Sequence, residues 1–211
     1  MKLYEFGPTR SLRARWILQE LGVAFEAVSV NLEAGEHRRP GFLEINPAGR
    51  VPVLVDGELI LNESAAIVIY LAEKYPDLGF IPAELRQRAD FFRWILFAVT
   101  ELEQPLWRMS RHTRLYPEPD RLSADVALAR RDFLPMAAVL ESHMKGRTYL
   151  AGDQVTAADF VVAYTLDWAG EARLLDDFPT LRAYLERMYA RPRAPQRIGA
   201  IFRAMRCGVA A

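Results

Sequence analysis

The first third of the chain mixes two hydrophobic periods. Residues 2–6 and 25–30 alternate in the manner of β-strands. Between them, apolar residues recur at helical spacing over residues 11–21, arginines fill the gaps, and Gly22 follows as a typical helix stop. A strand, a helix and a second strand in this order predict a right-handed parallel unit.

A second pair of strands is predicted after a short helix around Phe42. Two apolar runs flank Asp56-Gly57, and this dipeptide is a strong short-range hairpin signal. Pro52 stands at the start of the first run, where a sheet tolerates a residue without an N–H. Residues 64–75 have the pattern of a further helix. The order of elements is therefore βαβ-α-ββ-α, which resembles the thioredoxin fold.

The same region has the features of a binding site for an extended peptide. The Val51-Pro52 bond can be cis at modest energetic cost, which would aim the Val51 backbone outward. Glu63-Ser64 opens the following helix, where N–H groups and the positive end of the helix dipole favour an anion. An outward backbone edge beside such a helix start predicts a site for a small, carboxylate-bearing peptide.

Only helical periods remain beyond residues 76–82, which have the composition of a linker. Thr156 and Asp159 precede an apolar run and predict a capping box in which Asp replaces the usual Glu. The predicted fold class is an α/β thioredoxin-like N-terminal domain, residues 1–78, followed by an all-α helical-bundle C-terminal domain, residues 85–211. The predicted helices of the second domain span residues 85–112 with Pro105 inside, 123–145 with Pro135 inside, 157–168, 179–190 and 195–205.

Composition narrows the class of protein. The 211 residues include 27 basic and 27 acidic side chains, so net charge favours neither nucleic acid nor a membrane surface as partner. Cys207 is the only cysteine, which excludes an internal disulfide and any CxxC redox or zinc framework. No leader-like apolar segment follows Met1, and no run of about 18 apolar residues occurs. We therefore expect a cytoplasmic protein without a metal.

The segment from Asn46 to Ser64 resembles the glutathione-binding segment of cytosolic glutathione S-transferases, with its cis-proline and its Glu-Ser pair before a helix. Residues 34–47 are similar to the theta, delta and related bacterial members, and the N-terminal domain as a whole resembles the theta, delta and phi types. The resemblance is strongest over residues 1–75. It implies glutathione as co-substrate, no other cofactor, a small electrophile as second substrate, and a homodimer.

A glutathione transferase must form a thiolate from a thiol whose free pKa is about 8.5. A helix N-terminus and a hydroxyl donor both favour the anion, and the loop of residues 6–11 supplies both. Alignment of the first helix places Thr9 where theta-like and phi-like members carry their catalytic serine, and Arg10 where beta-class members carry a cysteine. Thr9 is the main candidate. Ser11, Arg10 or a backbone N–H, and Tyr4 are the alternatives, and Ser11 also suits an ordinary N-cap.

The resemblance also implies which residues hold the γ-glutamyl and cysteinyl parts of glutathione. Ser64, with its hydroxyl and N–H at a helix start, would bind the γ-glutamyl carboxylate, and Glu63 would face the ammonium group. The backbone of Val51, next to Pro52, would pair with the cysteinyl moiety as an added strand.

The glycyl carboxylate has two candidate partners, His37 and Arg50. Delta-type members use a histidine one place before Arg50, where this chain has Gly49. The chain therefore departs from the family pattern at this contact. An exposed loop histidine is the competing interpretation of His37.

The second substrate is expected between the two domains, against the long first helix of the helical domain. Arg108 and Arg111 lie three residues apart on one helix face, so an anionic acceptor is plausible if that face lines the cleft. Aromatic residues at helical spacing are more often core. The candidates are Trp107, Arg108, Arg111, His112 and Tyr116, together with Phe202 and Met205 near the C-terminus.

The leading hypothesis is an enzyme that binds reduced glutathione and adds its thiolate to an electrophilic, hydrophobic substrate, as in detoxification. A glutathione-dependent peroxidase, dehalogenase or isomerase is the alternative within the enzyme class. The first loop lacks the Ser-Ser-Cys run of zeta-type isomerases and has Arg10 where reductases carry a cysteine. The alternative from another class is a non-catalytic glutathione-binding or scaffold member of the family.

Overall fold

The computed structural model describes residues 1–207 and divides the chain into two compact units. The first unit comprises Met1–Ile81 together with the segment from Tyr189 onward, and the second comprises Pro82–Met188. The strands of the first unit are β1 (Lys2–Glu5), β2 (Glu26–Ser29), β3 (Val53–Asp56) and β4 (Leu59–Asn62), and its helices before residue 81 are α1 (Ser11–Leu21), α2 (Pro40–Ile45) and α3 (Ser64–Lys74).

The four strands form one mixed sheet in the order β2-β1-β3-β4. Strands β1 and β2 are parallel, whereas β1–β3 and β3–β4 are antiparallel. Asp56 pairs with Leu59, so the hairpin loop consists of Gly57 and Glu58. Gly57 has φ +62°, a left-handed conformation that glycine adopts without steric cost. The thioredoxin-like order of elements that the sequence predicts is confirmed.

Apolar packing fixes both faces of this sheet. Val30, Phe42 and Val53 form one buried cluster, and the ring of Tyr4 packs against Phe42 with centroids 6.1 Å apart. Tyr4 therefore contributes to the core. Trp16 of α1 is fully buried.

The C-terminal segment of the chain packs within the first unit. Both N–H arms of Arg191 bind the Glu20 carboxylate, at 2.7 and 2.8 Å, and Arg193 donates to the Glu20 carbonyl at 2.8 Å. The ring of Tyr189 stacks on Trp16 at 4.7 Å. The contacts of this segment, which the sequence pattern places with the helical domain, are therefore with α1.

The remaining helices are α4 (Leu85–Phe97), α5 (Glu103–Ser110), α6 (Ser123–Met144), α7 (Ala157–Glu171), α8 (Pro179–Tyr189) and α9 (Ile198–Arg206). Helix α9 follows Tyr189 and belongs to the first unit. It begins three residues later than its apolar pattern suggests.

The long helix predicted over residues 85–112 is interrupted by a wide, π-helical turn at Ala98–Leu102. Pro105 follows directly, in the first turn of α5. A proline lacks the N–H for an i−4 bond and crowds the carbonyl four residues before it, here that of Glu101. The π turn lies where that conflict arises, and such turns are a usual cause of helix irregularity.

The predicted capping box of α7 is confirmed, and it is part of a larger network. The fully buried Asp159 carboxylate accepts the Thr156 N–H at 2.8 Å and the Thr156 hydroxyl at 3.0 Å. It also accepts the Leu150 N–H at 3.1 Å and the Tyr184 hydroxyl at 2.8 Å. Burial raises the pKa of Asp159, and the four donors compensate for the burial of its charge.

Within residues 1–207, no helix combines the length and the apolar character that a membrane span requires.

Candidate functional site

The loop before α1 contains a closed ring of hydrogen bonds. The Thr9 hydroxyl donates to the Phe6 carbonyl, and Thr9 Oγ1 accepts the Ser11 N–H at 3.2 Å. Thr9 Oγ1 lies 2.9 Å from Ser11 Oγ, which accepts the Phe6 N–H at 3.3 Å. Because the Thr9 hydrogen is already donated to Phe6, Ser11 is the donor between the two hydroxyls.

This ring uses the hydrogens of both candidate hydroxyls. A hydroxyl offers one hydrogen and two lone pairs, so the capacity of Thr9 is filled. Ser11 is buried and is the first residue of α1, not its N-cap. Arg10 occupies the N-cap position with helical φ and ψ. The structure thus brings Thr9, Arg10 and Ser11 together at the start of α1, with both hydroxyls bonded within the loop.

The edge that the sequence predicts for a peptide ligand lies between α2 and β3. The Val51-Pro52 bond is cis, as is Gly7-Pro8 in the first loop. Val51 is half-buried against the Val30 cluster, and Pro52 is buried. Val51 therefore stands at the border between the core and the surface.

Asn46 ties this edge to the neighbouring segments. Its amide donates to the Arg50 carbonyl at 2.8 Å, and its carbonyl oxygen accepts the Ala48 N–H at 3.1 Å. The same oxygen accepts a hydrogen bond of 3.3 Å from the side-chain amide of Asn62, the last residue of β4. Asn46 is 2% exposed, so these bonds are shielded from water. One buried side chain thus holds both ends of the predicted binding segment.

Helix α3 begins at an unusual backbone conformation. Glu63 has φ +65° and ψ 110°, a region that residues with a Cβ rarely adopt. Its side chain is exposed and makes no capping bond to α3. Strained backbone persists where the surrounding structure fixes it, often at ligand sites. The start of α3 is therefore shaped for something other than helix capping.

Ser64 is the first residue of α3, and it is nearly buried. Its Oγ accepts a hydrogen bond from Arg13 Nη1 of α1 at 3.2 Å. Arg13 is 1% exposed, which is rare for an arginine. This contact joins the helix that follows the first loop to the helix that begins at the predicted carboxylate site.

The structure also brings His37 and Arg50 into the same neighbourhood. The pKa of His37 is lowered by burial and, to a smaller extent, by the charges of Arg38 and Arg50. Its Nδ1 is shielded from solvent and has no hydrogen-bond partner among residues 1–207. A Cβ at Gly49 would lie 3.0 Å from the His37 carbonyl oxygen, and φ there is +59°. A side chain at 49 would therefore be strained, and the loop carries its histidine at 37 instead.

Sequence reasoning missed the roles of Asn46 and Arg13. Asn46 precedes Pro47, a pattern that favours Asx-type turns, so a local role was accessible from the sequence. Its bond to Asn62 joins residues distant in sequence, and no local pattern signals it. Arg13 lies between apolar positions of α1, where an arginine is expected to be exposed. Only the packing of α1 on α3 shows that it is buried.

The second-substrate candidates of residues 107–116 lie in the helical unit, and two of them, both arginines, already have side-chain partners. Arg108 binds Asp132 at 2.7 Å and Asp125 through two nitrogens. These carboxylates raise the pKa of Arg108, and its guanidinium in turn lowers the pKa of Asp125. The Arg111 guanidinium lies over the Tyr116 ring, 4.7 Å from its centroid. The two arginines therefore differ in their partners, and the charge of Arg108 is neutralised.

The aromatic candidates of the same unit sit in small ring clusters. Trp107 and Trp168 meet edge to face at 6.5 Å, and Trp168 also meets Tyr164 at 6.4 Å. His112 packs on Tyr116 at 5.0 Å, and its Nδ1 accepts the Leu122 N–H at 3.2 Å. These contacts account for the aromatic residues as packing groups of the helical unit.

Together, the first unit and its site define a class of protein. A thioredoxin-like sheet carries a cis-proline edge, a helix start at Ser64 and a hydroxyl-containing loop before α1. An extended edge beside a helix N-terminus suits an anionic peptide, and the loop before α1 suits a thiolate. The class is that of thiol-peptide-binding proteins built on the thioredoxin fold.

Comparison with known proteins gives the family. The glutathione S-transferase N-terminal domain model matches residues 1–73, and the C-terminal domain model matches residues 107–192. The chain belongs to the glutathione S-transferase family.

The relatives and neighbours match over most of their length. Glutathione S-transferase F9 of Arabidopsis thaliana is 32% identical, covering 91% of this chain and 94% of the relative. Glutathione S-transferase GST-4.5 of Xanthomonas campestris is 32% identical, with 90% and 93% covered. A glutathione transferase of Burkholderia graminis, solved with two glutathione molecules bound per subunit, has a TM-score of 0.81 at 25% identity, with 92% and 85% covered.

Proposed function

We propose that this protein, a glutathione transferase by family, ionises the thiol of bound glutathione for attack on a small, hydrophobic electrophile. The observation that carries the proposal is the meeting, within one unit, of the Val51-Pro52 edge, Ser64 at the start of α3, and the loop before α1. These three parts match the three needs of the reaction: to hold the peptide backbone, to bind its carboxylate, and to stabilise its thiolate. Glutathione is the co-substrate, and no prosthetic group takes part.

The binding roles follow from the chemistry of each position. The Val51 backbone pairs with the cysteinyl moiety, and Ser64 donates its hydroxyl and N–H to the γ-glutamyl carboxylate. Glu63 is exposed at the start of α3, so its carboxylate is available to the γ-glutamyl ammonium. His37 and Arg50 serve the glycyl carboxylate. Their proximity, which is evident from the effect of the Arg50 charge on the pKa of His37, supports this assignment.

In the chemical step, the thiol releases its proton to solvent and the thiolate sulfur attacks the electrophilic carbon. The sulfur–carbon bond forms as the leaving group departs with its electron pair, or as a double bond of the acceptor opens. The N-terminus of α1 stabilises the thiolate, and Thr9 or Ser11 donates to it when its hydroxyl turns from its partner within the loop towards the sulfur. Trp107, Arg111 and Tyr116 remain the candidates for contact with the second substrate.

Calorimetric titration with reduced glutathione tests the binding assignment. Ser64→Ala is expected to weaken binding about tenfold, the loss of one or two charge-assisted hydrogen bonds. Ser123→Ala is the matched control, because Ser123 is an exposed serine at the start of α6 in the other unit. Equal affinities for the wild type and Ser64→Ala would refute the role of Ser64.

A second function, glutathione binding without turnover, is favoured by one observation. Both hydroxyl hydrogens of the first loop are donated within the loop, to Phe6 and to Thr9. A panel of a chlorodinitrobenzene-type acceptor, hydroperoxides and haloalkanes separates the two functions. Turnover of any of them supports the enzyme, whereas retention on immobilised glutathione without turnover supports the binding protein.

We also propose that the protein is a cytoplasmic homodimer acting in detoxification. The exposed apolar side chains of α4, Leu85 and Leu96, support a self-association surface on the helical unit. Phe91 and Trp94 of the same helix are buried and belong to the core, so they are not part of such a surface. Light scattering is expected to give twice the mass of one chain, and a monomeric mass would contradict the proposal.

A further inference from the structure

The contact between Arg13 and Ser64 fixes the direction of the Ser64 hydroxyl. A guanidinium has five N–H donors and no acceptor, so in the 3.2 Å contact Arg13 donates and Ser64 Oγ accepts. The hydroxyl hydrogen of Ser64 must then point away from Arg13. Ser64 is thereby set as a donor at the start of α3.

The environment of this contact makes the orientation firm. Arg13 is 1% exposed and Ser64 is 4% exposed, so water does not compete for the bond. Hydrogen bonds from a charged donor are shorter and stronger than neutral ones, and they polarise the acceptor hydroxyl. A hydroxyl that accepts from a cation becomes a better donor to an anion. The Arg13–Ser64 contact is thus suited to strengthen, through Ser64, the binding of an anion at the start of α3.

Arg15, the next arginine along α1, has a different partner. Arg15 pairs with Glu5, and its Nε lies 2.9 Å from Glu5 Oε2. Its side chain is 32% exposed. Arg13 and Arg15 therefore share residue type and helix but only Arg13 reaches the start of α3. The pair provides an internal comparison.

We propose that Arg13 is a positioning residue for the γ-glutamyl carboxylate of glutathione, acting through the orientation and polarisation of the Ser64 hydroxyl. This inference rests on the proposed function, because it assumes that Ser64 binds that carboxylate. It goes further than that function because it assigns part of the recognition of the γ-glutamyl end to α1, the helix that carries Arg13.

A pair of ligands isolates this effect. Reduced glutathione and 4-aminobutyryl-cysteinylglycine differ only by the α-carboxylate of the γ-glutamyl residue. The ratio of their dissociation constants, measured by calorimetry on the full chain, reports recognition of that carboxylate alone. A general loss of packing would weaken both ligands together and leave the ratio unchanged. The ratio is therefore a readout that a merely structural role does not move.

The wild type is expected to prefer glutathione over the analogue by about tenfold or more, as charge-assisted bonds to a carboxylate require. Arg13→Met is expected to lose most of this preference, while Arg15→Met, the matched control, keeps it. In the Ser64→Ala background, Arg13→Met should change the ratio no further, because the two residues act as one unit.

Two outcomes would overturn an assignment, and a second Arg13 variant covers a failure to fold. A ratio in Arg13→Met equal to that of the wild type, with Ser64→Ala reduced, would overturn the role of Arg13. Should Arg13→Met fail to fold, Arg13→Gln applies the same criterion, since its shorter amide side chain cannot span the distance to Ser64. If the wild type binds neither ligand, or does not distinguish them, the assignment of Ser64 in the proposed function fails instead.

Discussion

Buried polar side chains set the shape of the candidate site at the scale of single residues. Asn46 holds the loop that leads to Val51-Pro52, and Arg13 holds the hydroxyl of Ser64. Neither residue is expected to contact the ligand. An unpaired polar group in such a place is costly, so both contacts are stabilising as well as orienting. Buried side chains that the sequence alone did not assign therefore hold the candidate site in shape.

Replacement of Asn46 by Ala is expected to weaken glutathione binding about tenfold, because the Arg50 carbonyl and the Ala48 N–H both lose a buried partner. Asn31→Ala is the control: Asn31 makes a similar turn, accepting the Ala34 N–H at 2.9 Å, in an exposed loop. Isothermal titration gives both affinities. An unaltered affinity in Asn46→Ala would show that the loop holds its shape without this side chain.

The low pKa of His37 predicts how binding depends on pH. Burial and the nearby arginines disfavour the imidazolium, so the ring is neutral at pH 7 in the free protein. A carboxylate bound beside it favours the protonated ring, so binding takes up a proton, and affinity rises as the pH falls through the pKa of the bound state towards the lower pKa of the free protein. S-methylglutathione should be used, since it has no thiol to ionise. The rise is expected to vanish in His37→Asn, and persistence there would exclude His37.

The elements of the fold follow closely from hydrophobic period and from local stop signals. The strands, α1 and α3 lie where alternation, Gly22 and Glu63-Ser64 predict them. The π turn before Pro105 could not be placed from the sequence. A proline predicts a disturbance, but the neighbouring helices decide whether the chain kinks, breaks or widens. The start of α9 at Ile198 likewise could not be placed from the sequence.

Helix α7 depends on its capping carboxylate more than an ordinary helix does. In Asp159→Asn, one acceptor oxygen becomes an NH₂ group that faces two donors, so we expect a loss of about 3 kcal/mol in the free energy of unfolding. Tyr184→Phe removes a single donor and should lose about 1 kcal/mol. Urea denaturation followed by circular dichroism compares them. A smaller loss in Asp159→Asn than in Tyr184→Phe would contradict this ranking.

The first compact unit of the molecule combines two segments that are far apart in the sequence. Residues from Tyr189 onward belong to the first unit, so that unit is assembled from both ends of the chain. The amphipathic patterns placed this segment in a helix correctly but held no information on its partner. Which surface an amphipathic helix covers is decided by tertiary contacts, such as the bidentate Arg191–Glu20 pair.

Loss of that pair should destabilise the first unit. Arg191→Met leaves Glu20, whose side chain is 6% exposed, without its bidentate partner, so we expect a loss of about 2 kcal/mol in the free energy of unfolding, less than for a fully buried pair. Arg182→Met is the control, since Arg182 is exposed on α8. Equal urea midpoints for the two variants would show that the C-terminal segment contributes little.

The packing of Gly49 on the His37 carbonyl makes any side chain at position 49 costly. A Cβ there would lie 3.0 Å from a backbone oxygen, in a left-handed conformation that glycine adopts without strain. In a mutant library, positions 37 and 49 are therefore expected to be coupled: a substitution at Gly49 needs a compensating change in the loop that carries His37.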